Sequence, residues 1–280
     1  MRIDLHTHST VSDGTQPPAE VVAAAVEAGL DVVALTDHDS AAGWGEAAGA
    51  ARRLGITLVP GAEISCQWRG VSVHLLSYLH DPEHPGLLGE LTRARSSRER
   101  RAERMVELID ADYALTWDDV AALAAPGATL GRPHIADALV ARGHVATRDE
   151  AFTSILATGS PYFVGHYAPD PVVAVELVRA AGGVPVFAHP KASRRGYTVG
   201  DHVIEAMVAA GLAGLEVDHR DHSEPDRARL REIAASHDLI VTGSSDYHGT
   251  GKQNRLGENG TSPADLERIE AEGKGHVIRP

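Results

Sequence analysis

The sequence predicts an α/β fold of parallel strand–helix units with a mainly helical insertion. Three observations predict it. Apolar runs of strand length alternate with runs of helix length from Ile3 to Leu79. That rhythm breaks between Leu87 and Pro169, where helical patterns dominate, and resumes at Val172. Histidines and carboxylates recur where the strand runs end, and parallel strands carry such ends to one face.

Ile3 and Leu5 alternate with Asp4 and His6, the period of a strand, and His8 continues the polar face. Asp13 follows in a turn marked by Gly14. Thr15, Pro17, Pro18 and Glu20 open a helix over 21–28, which Gly29 stops. A strand over 31–36 ends in Thr36-Asp37-His38-Asp39. A helix over 41–54 stops at Gly55, and a strand over 56–60 precedes Gly61-Ala62-Glu63. A fourth strand, 69–79, carries His74. In the insertion, 87–112, 118–125, 133–142 and 148–157 read as helices. Its basic segment, 93–104, reads as a solvated helix face partnered by Glu99, Glu103 and Glu107, with a polyanion patch as the second reading.

Beyond the insertion, a helix over 172–181 ends at Gly182-Gly183, and a strand over 184–188 ends in His189-Pro190. A helix over 203–210, a strand over 213–217, a helix over 225–237 and a strand over 239–243 follow. The last strand ends in Ser244-Ser245-Asp246-Tyr247-His248-Gly249. Ser262, with Asp265 three residues on, caps a final helix. Residues 1–86 and 170–280 therefore form one predicted unit, and 87–169 a helical insertion.

The 280 residues suffice for one large domain. A formal net charge of -13 argues against a nucleic-acid backbone binder, although three bound divalent ions would bring -13 plus 6 to -7. The single cysteine, Cys66, allows no intrachain disulfide and fits a reducing compartment; no role is assigned to it. No basic leader with an apolar run is evident, and no run reaches transmembrane length, so a cytoplasmic location without membrane association is expected.

Two imidazoles on one strand face, with carboxylates near other strand ends, suit zinc, iron or manganese better than calcium. A carboxylate bridging two cations holds them about 3.5–4 Å apart, the spacing used in hydrolysis, and water held there becomes a nucleophile near neutral pH.

The ordered set of Asp4-Leu5-His6-Thr7-His8-Ser9, Asp13-Gly14, Thr36-Asp37-His38, Gly61-x-Glu63, His74, His189-Pro190 and Ser245-Asp246-x-His248 resembles the PHP family, named for polymerase and histidinol phosphatase. The resemblance implies a distorted seven-stranded (β/α) barrel and three divalent metal ions, with Mn, Fe and Zn all open. It implies that His6, His8, Glu63 and Asp246 hold the first ion. Glu63, His74 and His189 hold the second, and Asp13, His38 and His248 the third. Many relatives have histidine where this chain has Asp13. Glu63, Asp246 and His189 are the catalytic candidates.

Gly131-Arg132-Pro133-His134-Ile135-Ala136, and the later 151–164 stretch, resemble the branch acting on small phosphates and nucleotides. Arg132 and His134 then grip phosphate over the barrel mouth, making 87–169 a substrate cap. The guanidinium fork suits Arg132 to that role; its competing reading is a helix-start arginine paired with Asp137. Lys191 and Arg194, with Arg195, are candidates to line the mouth. Asp4 and Asp37 are expected to orient imidazoles. His219, His222 and Tyr247 lie near strand ends without an assigned task.

The implied activity is hydrolysis of a phosphomonoester on a small nucleotide, a 3',5'-bisphosphate ahead of AMP. The alternatives are a 5'-3' exonuclease on short 5'-phosphorylated oligonucleotides, a histidinol-phosphate phosphatase and a non-catalytic structural or regulatory module. No obligate protein partner is expected.

Overall fold

The structure, a computed structural model, describes residues 1–124 and 128–280. Ala125, the predicted end of one helix, and the Arg195 side chain lie outside the described residues.

Seven strands form one sheet in chain order: β1 (Ile3–Asp4), β2 (Val32–Leu35), β3 (Thr57–Trp68), β4 (Val71–Tyr78), β5 (Val184–Ala188), β6 (Gly214–Asp218) and β7 (Ile240–Gly243). The edges meet through a parallel bridge between Thr7 and Tyr247, so the sheet is nearly a closed barrel. Ile3, Ala34, Val59, Leu76, Val186 and Ile240 come from six different strands, yet they pack as one buried cluster. Such mutual contact requires the strands to curve around a common interior. The Tyr78 hydroxyl donates to the Leu5 carbonyl across it, at 2.8 Å.

The sheet is not the all-parallel one expected. β3 pairs antiparallel with β4, and β4 with β5; the other pairs are parallel. The third strand does not stop at Pro60 but runs on through Glu63 to Trp68. Arg69 and Gly70, read as strand, are instead a two-residue hairpin turn with φ of 48° and 89°. Both left-handed positions match the primed turns that suit twisted strands.

Around the barrel lie α1 (Pro18–Glu27), α2 (Trp44–Leu54), α7 (Pro171–Ala180), α8 (Asp201–Ala209), α9 (Glu224–Ser236) and α10 (Pro263–Glu272). The inserted helices are α3 (Pro85–Tyr113), α4 (Trp117–Ala121), α5 (Arg132–Ala141) and α6 (Arg148–Thr153). α6 ends before residue 157, the predicted limit. The expected cap of α10 is present: Asp265 N donates to Ser262 Oγ at 3.1 Å.

The 29 residues of α3 serve two cores. Leu87 and Leu91 pack with the barrel residues Leu75, Val175 and Phe187. Ala102, Met105, Val106 and Ile109 pack instead with Leu115, Val120, Ile135, Leu139 and Leu156 of the insertion. Its middle is therefore held over the barrel from both ends. Among the described residues, no helix is long and apolar enough to cross a membrane.

Candidate metal centre

The nine residues expected to bind metal come together, and five of them, His6, His8, His38, His74 and His189, meet a sixth, Glu63, directly. Oε1 of this buried carboxylate lies 2.7 Å from His74 Nδ1 and 3.1 Å from His189 Nε2. Oε2 lies 3.2 Å from His6 Nε2, 3.1 Å from His8 Nε2 and 3.3 Å from His38 Nδ1. Asp246 Oδ1 completes the His6 and His8 side at 3.5 Å from each Nε2. Asp13 faces His248 Nε2 at 3.3 Å and His38 Nε2 at 3.8 Å.

Local structure explains these positions. The hydrogen bonds from His8 N to the Tyr247 carbonyl and from Tyr247 N to the His6 carbonyl seat the H-x-H run beside the loop after β7. The extension of β3 carries Glu63 under His38, to which it is bridged. Antiparallel pairing sets His74 opposite both Ser65 and Ala188, next to His189. His189 and Asp246 have φ of 31° and 54°, uncommon for residues with a Cβ. Strain of this kind persists where surrounding contacts impose it.

Among the described residues, three groupings offer converging ligand atoms: His6, His8, Glu63 and Asp246; His8, Asp13, His38 and His248; and His38, Glu63 and His74. The donor set fits divalent transition metals. His6 Nε2 and His8 Nε2 lie 3.0 Å apart, the separation that two bonds of about 2.1 Å make at a right angle. His38 Nδ1 and His248 Nε2 are buried without a hydrogen-bond partner, although each lies near a carboxylate oxygen. His38 thus stands between the Glu63 and Asp13 groups, closer to Glu63 than the family-implied division suggests.

Burial opposes charge throughout this centre; neighbouring charges overcome it at Glu63 and His8, while burial prevails at His38 and His248. Burial raises the Glu63 carboxyl, but His38, His6 and His74 outweigh it and hold its pKa well below the ordinary range. Burial lowers the His8 imidazole, yet hydrogen bonds to Asp246 and Glu63 carry it up to about 9. His248 falls to about 4, through burial and then the charge of Lys252.

The residues that orient the imidazoles differ from those expected. Glu216, missed in the sequence, lies 3.0 Å from His6 Nδ1 and accepts from His189 N at 2.7 Å. Its signal was a carboxylate on the apolar strand of residues 213–217. Asp37 instead accepts from Ser9 N, Ser9 Oγ and Ser12 Oγ; Ser12 Oγ lies 3.3 Å from His8 Nδ1. Asp4 accepts from Ser245 N and Gly257 N. Neither carboxylate meets an imidazole nitrogen within hydrogen-bond distance. His219 is buried with Nε2 3.7 Å from Asp246 Oδ2, His222 Nδ1 lies 2.8 Å from the Val217 carbonyl, and Tyr247 donates to Gln16.

The phosphate-gripping candidates separate. Arg132 does not pair with Asp137, which Arg148 takes. Its guanidinium lies near the rings of Phe152 and Phe163, donates to the Leu156 carbonyl at 3.4 Å and is felt electrostatically by Arg101. His134 is buried, accepts from Gly131 N at 3.2 Å and feels the charge of Asp13. Lys191 is drawn away to Asp201, 2.7 Å from its Nζ, and Arg194 is exposed on a short turn.

The basic segment of α3 is not simply solvated. Arg98 ion-pairs with Asp39 at 3.1 Å and donates to Ser65 Oγ, directly across β3–β4 from His74. Arg101 is buried; burial, then Arg132 and Arg98, lower its pKa to about 9. Its Nε has no hydrogen-bond partner.

Residues 4–136 match the PHP domain model. A 3',5'-nucleoside bisphosphate phosphatase from Chromobacterium violaceum is 34% identical over 99% of this chain and 98% of its own length. This chain belongs to the PHP family. A 5'-3' exoribonuclease from Haemophilus influenzae is 35% identical, over 92% of this PHP chain and 94% of its own. A candidate metal-dependent phosphoesterase from Bifidobacterium adolescentis, known by crystal structure, superposes with a TM-score of 0.95 at 43% identity. That match covers 97% of this chain and 96% of the other. The PHP match contains six of the nine converging residues; His189, Asp246 and His248 lie beyond it, within the reach of the full-length relatives.

Proposed function

We propose that this PHP protein is a metal-dependent phosphoesterase that releases phosphate from small phosphorylated nucleotides, 3',5'-nucleoside bisphosphates before AMP. The observation carrying this reading is the two-sided Glu63 carboxylate, with Arg98 of the inserted helix α3 anchored at Asp39 and Ser65, across β3–β4 from His74. In this reading the nine converging residues hold three divalent ions, with Mn, Fe and Zn as the fitting elements. Ions bound there supply Lewis acidity toward a phosphoryl oxygen and activate water. The chain does the positioning. Glu63 spans two groups of imidazoles, Glu216 fixes the His6 ring, and Asp246 faces the His6, His8 and His248 rings. No serine or cysteine nucleophile is needed.

Residues 87–169 act as a substrate cap. Arg132 and Arg101 take a second phosphate, because three guanidiniums that feel one another's charge, with Asp39 pairing Arg98, favour an added anion. His134, close to Asp13, lines the space between that anchor and the metal centre. A bisphosphate presents one phosphate to each place, whereas AMP must leave one empty. The relative named a bisphosphate phosphatase agrees with this preference. The relative named an exoribonuclease supplies the second reading, in which the anchor takes an internucleotide phosphate.

A phosphate-release assay with metal-reconstituted protein tests the proposal, using 3',5'-adenosine bisphosphate, AMP, histidinol phosphate and a 5'-phosphorylated oligoribonucleotide. The bisphosphate should give the highest kcat/KM. A clear preference for the oligonucleotide selects exonuclease action, one for histidinol phosphate selects that phosphatase, and no turnover of any of the four rejects the enzyme reading.

A further inference from the structure

Lys252 follows the short turn Gly249–Gly251 beyond β7. Its Nζ lies 3.1 Å from Asp246 Oδ2, while Oδ1 of the same carboxylate faces His6, His8 and His248 at 3.4–3.5 Å. The ammonium therefore stands one carboxylate away from the ligand atoms, on the opposite edge of Asp246. Its side chain is 34% exposed, against 1% for Asp246, so the lysine reaches solvent beside a buried centre. An ammonium has three donors, and a four-carbon stem lets it follow a moving oxygen. Among the described residues one donor meets Asp246, which leaves the others for an anion arriving from solvent. A second tie holds Asp246 from the same edge, His219 at 3.7 Å, so the lysine is not its sole support.

We propose that Lys252 binds substrate: its ammonium contacts a non-bridging oxygen of the phosphoryl group undergoing hydrolysis and stays on the released inorganic phosphate. This assignment rests on the phosphoesterase reading. It differs from the Arg132 anchor, which takes the phosphate that is not cleaved.

Metal-loaded wild type, Lys252→Met and Lys252→Arg distinguish this contact from a purely structural ion pair. Metal content is measured by elemental analysis, and inorganic phosphate affinity by calorimetry. The methionine variant should keep its full metal content and bind phosphate about tenfold more weakly, the loss of one charge-assisted bond. The arginine variant should recover part of that affinity. Unchanged phosphate affinity overturns the contact. Lower metal content in Lys252→Met also overturns it, because the lysine would then act through Asp246. If the wild type binds metal and phosphate but hydrolyses no phosphomonoester, the phosphoesterase reading fails, while a tenfold loss in Lys252→Met still establishes the contact.

Discussion

Each oxygen of Glu63 has its own imidazoles: His74 and His189 on one side, His6, His8 and His38 on the other. A glutamine cannot reproduce this, because one of its two positions becomes an NH₂ donor facing ring nitrogens. Glu63→Gln should therefore lose at least one bound metal ion per chain. Its kcat should fall beyond the roughly 10–100-fold typical of residues that only support a ligand. Elemental analysis and steady-state kinetics check both; wild-type metal content in the variant would remove Glu63 from the bridging role. Most of the nine converging residues were legible because they sit in short polar signatures after apolar runs; His74, inside a strand, was legible only through the ordered set's resemblance to the family. Glu216 was not: a lone glutamate in a buried strand shows its purpose only when the fold lays it against His6.

At the scale of elements, α3 matters most, since its two ends are buried in different cores and its middle presents Arg98 and Arg101. The basic segment was visible in the sequence, but a run of arginines and glutamates has the composition of a solvated helix. Next to Arg101, Ala102 and Met105 pack with Ile135 and Leu139 of α5, and Arg101 itself meets His166 at 3.2 Å. Arg132→Lys should lower kcat/KM for a 3',5'-bisphosphate about 10- to 100-fold, because a point charge replaces a planar fork. AMP, with no second phosphate, should change much less. Equal losses on both substrates in parallel kinetics would place Arg132 at the cleaved phosphate or in the fold. The β3–β4 hairpin was also missed: Gly61-Ala62-Glu63 looks like a strand end, and only pairing with β4 shows the strand continuing.

For the whole molecule, the near-closed barrel concentrates buried carboxylates and imidazoles at one mouth, so ion binding and folding are linked. Chelation should lower Tm by roughly 5–10 °C for each ion held at about 100 times its Kd, and metal should restore it. Thermal melts with and without chelator check this; identical curves would mean that the centre does not bind ions under those conditions. By itself the sequence determined the α/β class, the interrupted rhythm and the ordered residues of the centre. Those are local properties, set by residue periodicity and by short motifs. The tertiary structure alone decided the antiparallel middle of the sheet, the Glu216 support of His6, the diversion of Lys191 to Asp201, and the meeting of Lys252 with Asp246. The pairing of β4 with β5 and the Glu216 support depend on segments far apart in the chain, and the last two on how a short loop folds back on itself; neither kind of contact leaves a periodic trace in the sequence.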